Sequence, residues 1–322
     1  KQNQMKILII DDQQLILLPI QNRLEELGYE VKIETDSLKG LNRYHTFQPD
    51  LLIVDVSMSK NPGIEVIRYI RKKENSKVLI MALSGDIKYS LLKQGFQVGI
   101  DDYMKKPLSL NELCARVERL IGKPYTDIVF ENEDDVIINQ RCVGVVIPCY
   151  NEEKRLLSKQ FTRFLSKNSG YHLCFVNDGS SDNTLAILND LRKGRESFIS
   201  VYDCRQNGGK AEAVRLGMLY MAEKSALDYI GFLDADLSTD LKDFDDLVST
   251  IENSKFKIVS GSRISRMGAN ITKESARQVI SKTINLIIRN ILSMHFKDTQ
   301  CGAKIFHKDI IDIAFAEKFI TK

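Results

Sequence analysis

Acidic residues follow two short apolar runs in the first third of the chain, where strands of a parallel sheet would end. Asp11 and Asp12 come directly after KILII, and Asp55 closes LLIVD. Ser84 closes a later apolar run, and Lys106 stands directly before a proline. Clustered carboxylates repel one another unless a cation joins them, and Mg²⁺ prefers oxygen ligands. A carboxylate can also attack phosphorus, while a lysine and a hydroxyl can stabilise the phosphoryl group.

A second set of polar residues follows apolar runs in the rest of the chain. Asp178 and Gly179 follow LCFVN, which suits recognition of a ribose or a base edge, and residues 207–210 read NGGK at a predicted helix start. Glycines there let a diphosphate approach the backbone, and the lysine adds positive charge. Asp234 and Asp236 follow YIGFL, and in an extended chain their side chains would point the same way. Such a pair can bind Mg²⁺ or Mn²⁺, which would bridge a donor diphosphate.

The hydrophobic pattern predicts the strands that would bring these residues together. Apolar runs alternate with helical periodicity along the chain, as in α/β folds with parallel sheets, whose ligands bind beyond the carboxyl ends of strands. The first third contains five predicted strands, at Lys6–Ile10, Val31–Glu34, Leu51–Asp55, Val78–Leu83 and Tyr103–Met104, and a closing helix at Leu110–Ile121. We therefore predict a (βα)5 doubly wound domain at residues 1–124, a linker at 125–142 and a second α/β domain at 143–322.

The first constellation resembles the response-regulator receiver domain. Its pieces ILIIDD, LLIVDVSM, MALSG and DDYMKKP stand in the family's order. The resemblance implies a sensor histidine kinase as partner, Asp55 as the phosphoacceptor, and catalytic support from Ser84 and Lys106. Ser84 and Tyr103 would be the switch residues. The implied Mg²⁺ ligands are Asp11, Asp12 and Asp55.

The second constellation resembles the family 2 glycosyltransferases, which have the Rossmann-like GT-A fold. Within that family, IPCYNEE, VNDGSSDNT, NGGKAEAVRLG, DADLSTD and DTQCGAKIF look most like the dolichyl- or polyprenyl-phosphate glucosyltransferases. The resemblance implies inverting transfer from a UDP- or GDP-sugar to a polyprenyl phosphate, Asp298 as a candidate base, and Mg²⁺ or Mn²⁺ on Asp234 and Asp236. The implied nucleotide-sugar contacts are Pro148, Tyr150, Asn151, Glu152, Asp178, Gly179, Asn207, Lys210, Asp234, Ala235, Asp236 and Arg263.

Both constellations in one chain predict a response regulator whose output domain is a glycosyltransferase controlled by phosphorylation of Asp55. An alternative is a signalling or scaffold protein that binds the sugar nucleotide without transferring it. A DNA-binding regulator is a third hypothesis, but no recognition-helix segment follows the first domain.

Bulk composition agrees with a globular protein that does not bind nucleic acid. The chain has 322 residues, 43% of them hydrophobic and 28% charged, with a net charge of +3. Since no apolar run reaches membrane-spanning length, we predict a cytoplasmic location, with membrane association through the lipid acceptor. The stretch Val279–Met294 is either a buried core helix or a helix on the membrane surface. We also expect a homodimer, and an end at Lys322 that precedes the rest of the catalytic domain.

Overall fold

A computed structural model gives the architecture of the chain and describes residues 4–58, 62–85, 97–124, 135–224, 226–261 and 301–318. The chain divides into two compact units. The first comprises Lys1–Cys142 with Thr162–Tyr171, and the second comprises Val143–Phe161 with His172–Lys322.

The first unit contains a five-stranded parallel sheet in the order β2-β1-β3-β4-β5. Its strands are β1 (Lys6–Ile10), β2 (Glu30–Glu34), β3 (Leu51–Asp55), β4 (Leu79–Ser84) and β5 (Asp102–Lys105). Its described helices are α1 (Gln14–Glu26), α2 (Ser37–Phe47), α3 (Gly63–Arg68, continued by a π-helical turn at Tyr69–Lys73) and α4 (Leu110–Ile121). This strand order is that of the flavodoxin-like doubly wound folds, which confirms the predicted (βα)5 fold. Every strand begins and ends within one residue of its prediction.

Local sequence explains where these elements begin. The central strands β1 and β3 are almost wholly apolar because helices cover both faces of a parallel sheet. The Asp36 carboxylate accepts hydrogen bonds from the first N–H groups of α2, at Leu38 and Lys39. Ser109 caps α4 by accepting from the N–H of Glu112, in the serine-to-glutamate spacing of a capping box.

The predicted linker contains a short strand. Ile137–Ile138 (β7) pairs antiparallel with Leu108–Ser109 (β6), just after the Lys106–Pro107 bond, which is cis. Tight turns are where cis prolyl bonds usually occur. The described part of the linker is therefore hydrogen-bonded to the first unit rather than separate from it.

The second sheet has six strands in the order β10-β9-β8-β11-β13-β12. They are β8 (Val143–Cys149), β9 (Tyr171–Asp178), β10 (Ile199–Cys204), β11 (Tyr229–Phe232), β12 (Ile258–Ser260) and β13 (Lys304–His307). The described helices around it are α5 (Ser158–Lys167), α6 (Thr184–Arg192), α7 (Lys210–Ala222), α8 (Leu241–Glu252) and α9 (Ile311–Ala314).

One strand of this sheet departs from the predicted parallel arrangement. β11 runs parallel to β8, but β13 runs antiparallel to both of its neighbours, β11 and β12. The hydrophobic pattern marks a strand without its direction, and large α/β sheets often carry an antiparallel strand towards one edge.

None of the helices in the described ranges is long and apolar enough to cross a membrane. The predicted helix at Val279–Met294 lies outside those ranges.

Candidate active sites

Three predicted residues of the first unit meet at the carboxyl end of its sheet. The Nζ atom of Lys106 lies 2.5 Å from Oδ2 of Asp11 and 2.7 Å from Oδ2 of Asp55. All three side chains are buried, and that of Lys106 is only 1% exposed. The neighbouring Lys105 is exposed. The strand ends of β1, β3 and β5 thus assemble one compact ionic cluster.

The charges in this cluster do not balance. Two carboxylates face one ammonium, and burial, which Lys106 offsets only in part, raises the pKa of Asp11 to about 6; the charge of Asp55 adds to that rise. Burial alone would lower the pKa of Lys106, but the Asp11 and Asp55 carboxylates raise it above its ordinary value. The cluster therefore has an excess of negative charge in a largely buried position.

A divalent cation fits this excess charge. Asp12 is half-buried beside the cluster, and within the described ranges no three Asp, Glu, His or Cys side chains form a ready-made metal cage. Mg²⁺ needs no such cage, because it keeps several waters and commonly binds through one or two carboxylates and a phosphate. Asp11 and Asp55, with Asp12 next to them, are an oxygen donor set of that kind.

A hydroxyl pair lies next to the phosphoacceptor candidate. The Oγ atoms of Ser57 and Ser84 are 2.8 Å apart, and the N–H of Ser57 donates to Oδ1 of Asp55 at 2.7 Å. Tyr103 is half-buried and packs against the apolar core beside β4. Ser57 was missed in the sequence analysis, although its position two residues after Asp55 offered a signal.

The segment that follows the first domain contacts the residue after Ser84. A Cβ atom added to Gly85 would lie 2.2 Å from the side chain of Gln140, so the two residues are in direct contact. Gln140 lies two residues after β7, and the neighbouring Asn139 donates two hydrogen bonds to Ser169, from its backbone N–H to Oγ and from Nδ2 to the carbonyl. A change at the carboxyl end of β4 therefore has Gln140 as an immediate neighbour.

In the second unit, Asp234 and Asp236 follow β11 in a turn. The prediction of an extended strand end is wrong, because the N–H of Leu237 donates to the Asp234 carbonyl at 3.1 Å and Leu237 itself has a φ of 52°. Oδ1 of Asp236 accepts from the N–H of Ser238. Oδ1 of Asp234 lies 2.5 Å from Nζ of Lys210, the first residue of α7. The turn, rather than strand alternation, sets the directions of the two carboxylates.

Two buried oxygens in this region have no hydrogen bond to the described residues: Oδ1 of Asp234, whose ion-pair partner is Lys210, and Oε2 of Glu152. Burial raises the pKa of Glu152 against the effect of Arg155, and the negative charge of Asp236 raises it further. A buried oxygen without any partner, such as Oε2 of Glu152 among the described residues, is expensive unless a ligand meets it. A divalent cation on Asp234 and Asp236 would offset the negative charge that Asp236 places near Glu152.

The predicted nucleotide loop is organised by Asp178. Its Oδ1 atom accepts from the N–H of Gly208 at 2.8 Å, and its carbonyl accepts from Nδ2 of Asn207 at 3.0 Å. Gly179 has a φ of 62°, and a Cβ there would lie 2.6 Å from the backbone nitrogen of Asn207. A glycine is thus required for β9 to end against the loop that precedes Lys210.

The remaining predicted contacts line the start of the domain. The side-chain oxygen of Asn151 accepts from the N–H of Ser181, which ties the turn after β8 to the turn after β9. Tyr150 is 48% exposed, so its ring is available to a planar ligand. Pro148 lies half-buried near the end of β8, and Ala235 is buried between the two turn carboxylates. Arg263 and Asp298 lie outside the described residues.

Comparison with known families decides the identity of both units. A family model described as glycosyl transferase family 2 matches residues 144–314, more than half of the chain. The chain belongs to glycosyl transferase family 2. A second model, for the response regulator receiver domain, matches residues 7–118. The family 2 domain therefore follows a receiver domain in the same chain, as the motifs predicted.

Two relatives each match about the length of one of the two regions. The family 2 region is 30% identical over 181 residues to the dolichyl-phosphate beta-glucosyltransferase of Dictyostelium discoideum. This match covers 52% of this chain and 54% of that protein. The receiver region is 35% identical over 118 residues to the alkaline phosphatase synthesis transcriptional regulatory protein PhoP of Bacillus subtilis, covering 37% of this chain and 49% of PhoP. The chain thus spans about half the length of each of these two relatives. A third relative, the dolichyl-phosphate beta-glucosyltransferase ALG5D of Trichomonas vaginalis, is 28% identical over 259 residues, covering 76% of this chain and 77% of that protein.

Proposed function

We propose that this chain is a two-component response regulator whose output is a metal-dependent inverting glycosyltransferase. It moves a sugar from a UDP- or GDP-sugar to a polyprenyl phosphate at the membrane surface, and phosphorylation of Asp55 by a sensor histidine kinase controls the rate. One observation supports the transferase activity above all. In a chain of glycosyl transferase family 2, Oε2 of Glu152 is buried without a hydrogen bond to the described residues and lies within the electrostatic influence of Asp236, while Asp234 is ion-paired with Lys210 at a helix N-terminus.

The donor half of the proposed site follows from the described contacts. The diphosphate would bind at the start of α7, where helix N–H groups and Lys210 favour an anion. Asp178 holds Gly208 in place for that approach, and the exposed ring of Tyr150 would stack on the base. Asp234 and Asp236 would hold Mg²⁺ or Mn²⁺, which, when bound, would neutralise charge on the departing diphosphate.

Sugar transfer itself needs little from the protein beyond position and charge. An oxygen of the acceptor phosphate forms a bond to the anomeric carbon while the bond from that carbon to the diphosphate oxygen breaks. The nucleoside diphosphate leaves with the electron pair, and the configuration inverts. Because the acceptor phosphate is already ionised, the step does not depend on a general base such as Asp298.

In the receiver, the proposed chemistry is phosphoryl transfer to Asp55. Its carboxylate oxygen forms a bond to phosphorus while the bond from phosphorus to a kinase histidine nitrogen breaks, and the nitrogen keeps the electron pair. Lys106 would neutralise the phosphoryl group, and the Ser84 hydroxyl would turn to it from Ser57. That rearrangement would reach Gln140 through Gly85.

The test of the transferase activity is release of UDP or GDP from a panel of nucleotide sugars with polyprenyl phosphate and Mn²⁺ or Mg²⁺. We expect Asp236→Asn to lower release about 100-fold through loss of a metal ligand. The exposed Asp246→Asn on α8 is the matched control and should retain the wild-type rate. Donor binding without nucleotide release from any pair would overturn this proposal in favour of a sugar-nucleotide sensor.

A further inference from the structure

The Asp234 carboxylate lies against a turn that comes almost seventy residues later. A Cβ atom added to Gly302 would lie 2.1 Å from Oδ2 of Asp234 and 2.8 Å from its Oδ1. Both distances are shorter than any real contact of a Cβ atom with a side-chain oxygen. The backbone of Gly302 is therefore one wall of the space that the carboxylate occupies.

The turn that contains Gly302 is held in place by contacts of its own. Nζ of Lys304 donates to the carbonyl of Cys301 at 2.9 Å, and the N–H of Gly261 donates to the carbonyl of Ala303 at 3.0 Å. Cys301 and Ala303, on either side of the glycine, are both buried. Because the turn is held on two sides, an added side chain would displace the carboxylate more readily than the turn.

Sterics and charge, rather than hydrogen bonds, hold Asp234. Its backbone is set by the N–H of the preceding Leu233, which donates to Val146 in β8 at 3.0 Å. Oδ1 has Lys210 as an ion-pair partner and no hydrogen bond to the described residues. The orientation of the carboxylate thus depends on the space between Gly302 and Lys210.

We propose that Gly302 is a positioning residue for the donor site. The absence of a side chain at this position leaves the space in which Asp234 takes the orientation that binds a divalent cation together with a nucleoside diphosphate. The inference rests on the proposed function and adds a residue to it. Gly302 acts only through Asp234.

The first test measures how much Mn²⁺ strengthens nucleotide binding to the full chain. The chain is titrated calorimetrically with UDP and with GDP, each in the presence of Mn²⁺ or of EDTA. These titrations measure nucleotide binding alone, so metal binding at the receiver does not enter the comparison. We expect Gly302→Ala to reduce the gain in affinity from Mn²⁺ at least about tenfold, and to leave the affinity in EDTA unchanged. Loss of folding alone would lower both affinities together.

Gly261→Ala is the matched control. A Cβ atom at position 261 would lie 2.8 Å from Sγ of Cys301, so it crowds the same turn away from Asp234. We expect this variant to keep the gain from Mn²⁺ within about twofold of the wild type. An equal loss in both variants, or wild-type behaviour of Gly302→Ala, would overturn the inference while the proposed function stands. A wild-type chain that gains no affinity from Mn²⁺ would overturn both.

A double-mutant cycle decides the matter even if Gly302→Ala folds poorly. We expect Gly302→Ala to lower the thermal midpoint of unfolding in the wild-type chain, and Asp234→Ala to remove most of that decrease because the clashing carboxylate is gone. The same decrease in both backgrounds would mean that Gly302 serves another contact, and the inference would fail.

Discussion

In each half of the chain, carboxylates stand at or just after strand ends, and one lysine forms an ion pair with them. The two lysines differ greatly in their exposure to water. Lys106 touches two carboxylates and is 1% exposed, whereas Lys210 touches one and is 58% exposed. A buried lysine between two acids is part of the folded core and has no alternative partner in water. An exposed lysine at a helix start can leave its carboxylate for a ligand at little cost.

The contrast suggests that the two sites prepare for phosphate by different means. The receiver keeps a dry pocket with excess negative charge, which a cation and a phosphoryl group would complete together. The transferase keeps an exposed lysine at a helix start, whose ion pair would rearrange on binding a larger ligand. The first site therefore depends on burial and the second on the shape of its turns, at Gly179, Leu237 and Gly302.

The largest effect is expected for a substitution that abolishes phosphate uptake by the receiver and leaves nucleotide binding by the second domain unchanged. Asp55→Asn removes the nucleophilic oxygen, so labelling by radioactive acetyl phosphate should fall below detection, while UDP or GDP binding with Mn²⁺ stays at the wild-type level. Glu65→Gln, an exposed carboxylate on α3, is the control and should label normally. Wild-type labelling of Asp55→Asn would show that the phosphoacceptor lies elsewhere.

The stability of the two lysine sites should differ in the same direction as their burial. Lys106→Met leaves two buried carboxylates without their cation and should lower the free energy of unfolding by about 3 kcal/mol. Lys210→Met should lower it by no more than about 0.5 kcal/mol, because Lys210 is 58% exposed and water screens its ion pair with Asp234. Urea denaturation measures both values, and saturating Mg²⁺ should reduce the loss in Lys106→Met alone. Equal losses for the two variants would break the comparison.

The dry pocket should also make Mg²⁺ binding depend on pH. Because the pKa of Asp11 is raised to about 6, protonation competes with the metal below that value. The Mg²⁺ affinity of the receiver should fall about tenfold per pH unit below pH 6. The same shift gives the folded chain a contribution to stability that is present below the ordinary pKa of 3.8 and lost as the pH rises through 6. Calorimetric Mg²⁺ titrations of the wild-type chain on either side of pH 6 measure this, and an affinity independent of pH would contradict the raised pKa of Asp11.

The smallest expected effect concerns the link between the two chemistries. Gln140→Ala removes the side chain that contacts Gly85, so the change in transfer rate on phosphorylation should shrink about threefold, without loss of phosphate uptake. Gln160→Ala, exposed on α5, is the matched control. An unchanged response in Gln140→Ala would show that Gln140 does not transmit the effect of phosphorylation.

Sequence patterns predicted the strands and the residues that strand ends bring together, and missed one turn and the contacts made by loop residues. Apolar runs located the strands β1 to β5, and strand ends brought Lys106 to Asp11 and Asp55, because parallel strands end on one edge. The turn at Asp234–Leu237 was missed, since no local pattern in DADLS requires a positive φ at a leucine. The contacts of Gly302 with Asp234 and of Gln140 with Gly85 join residues more than fifty positions apart. Such contacts depend on the folded backbone and leave no periodic trace in the sequence.

The most direct test of the central claim measures nucleotide release by the full chain with and without beryllofluoride, which mimics the acyl phosphate on Asp55. With a nucleotide sugar, polyprenyl phosphate and Mn²⁺, we expect release that depends on the metal and changes in rate when beryllofluoride is added. The change should be absent in Asp55→Asn. Release at one rate in the wild-type chain, with and without beryllofluoride, would contradict control of the transferase by its receiver.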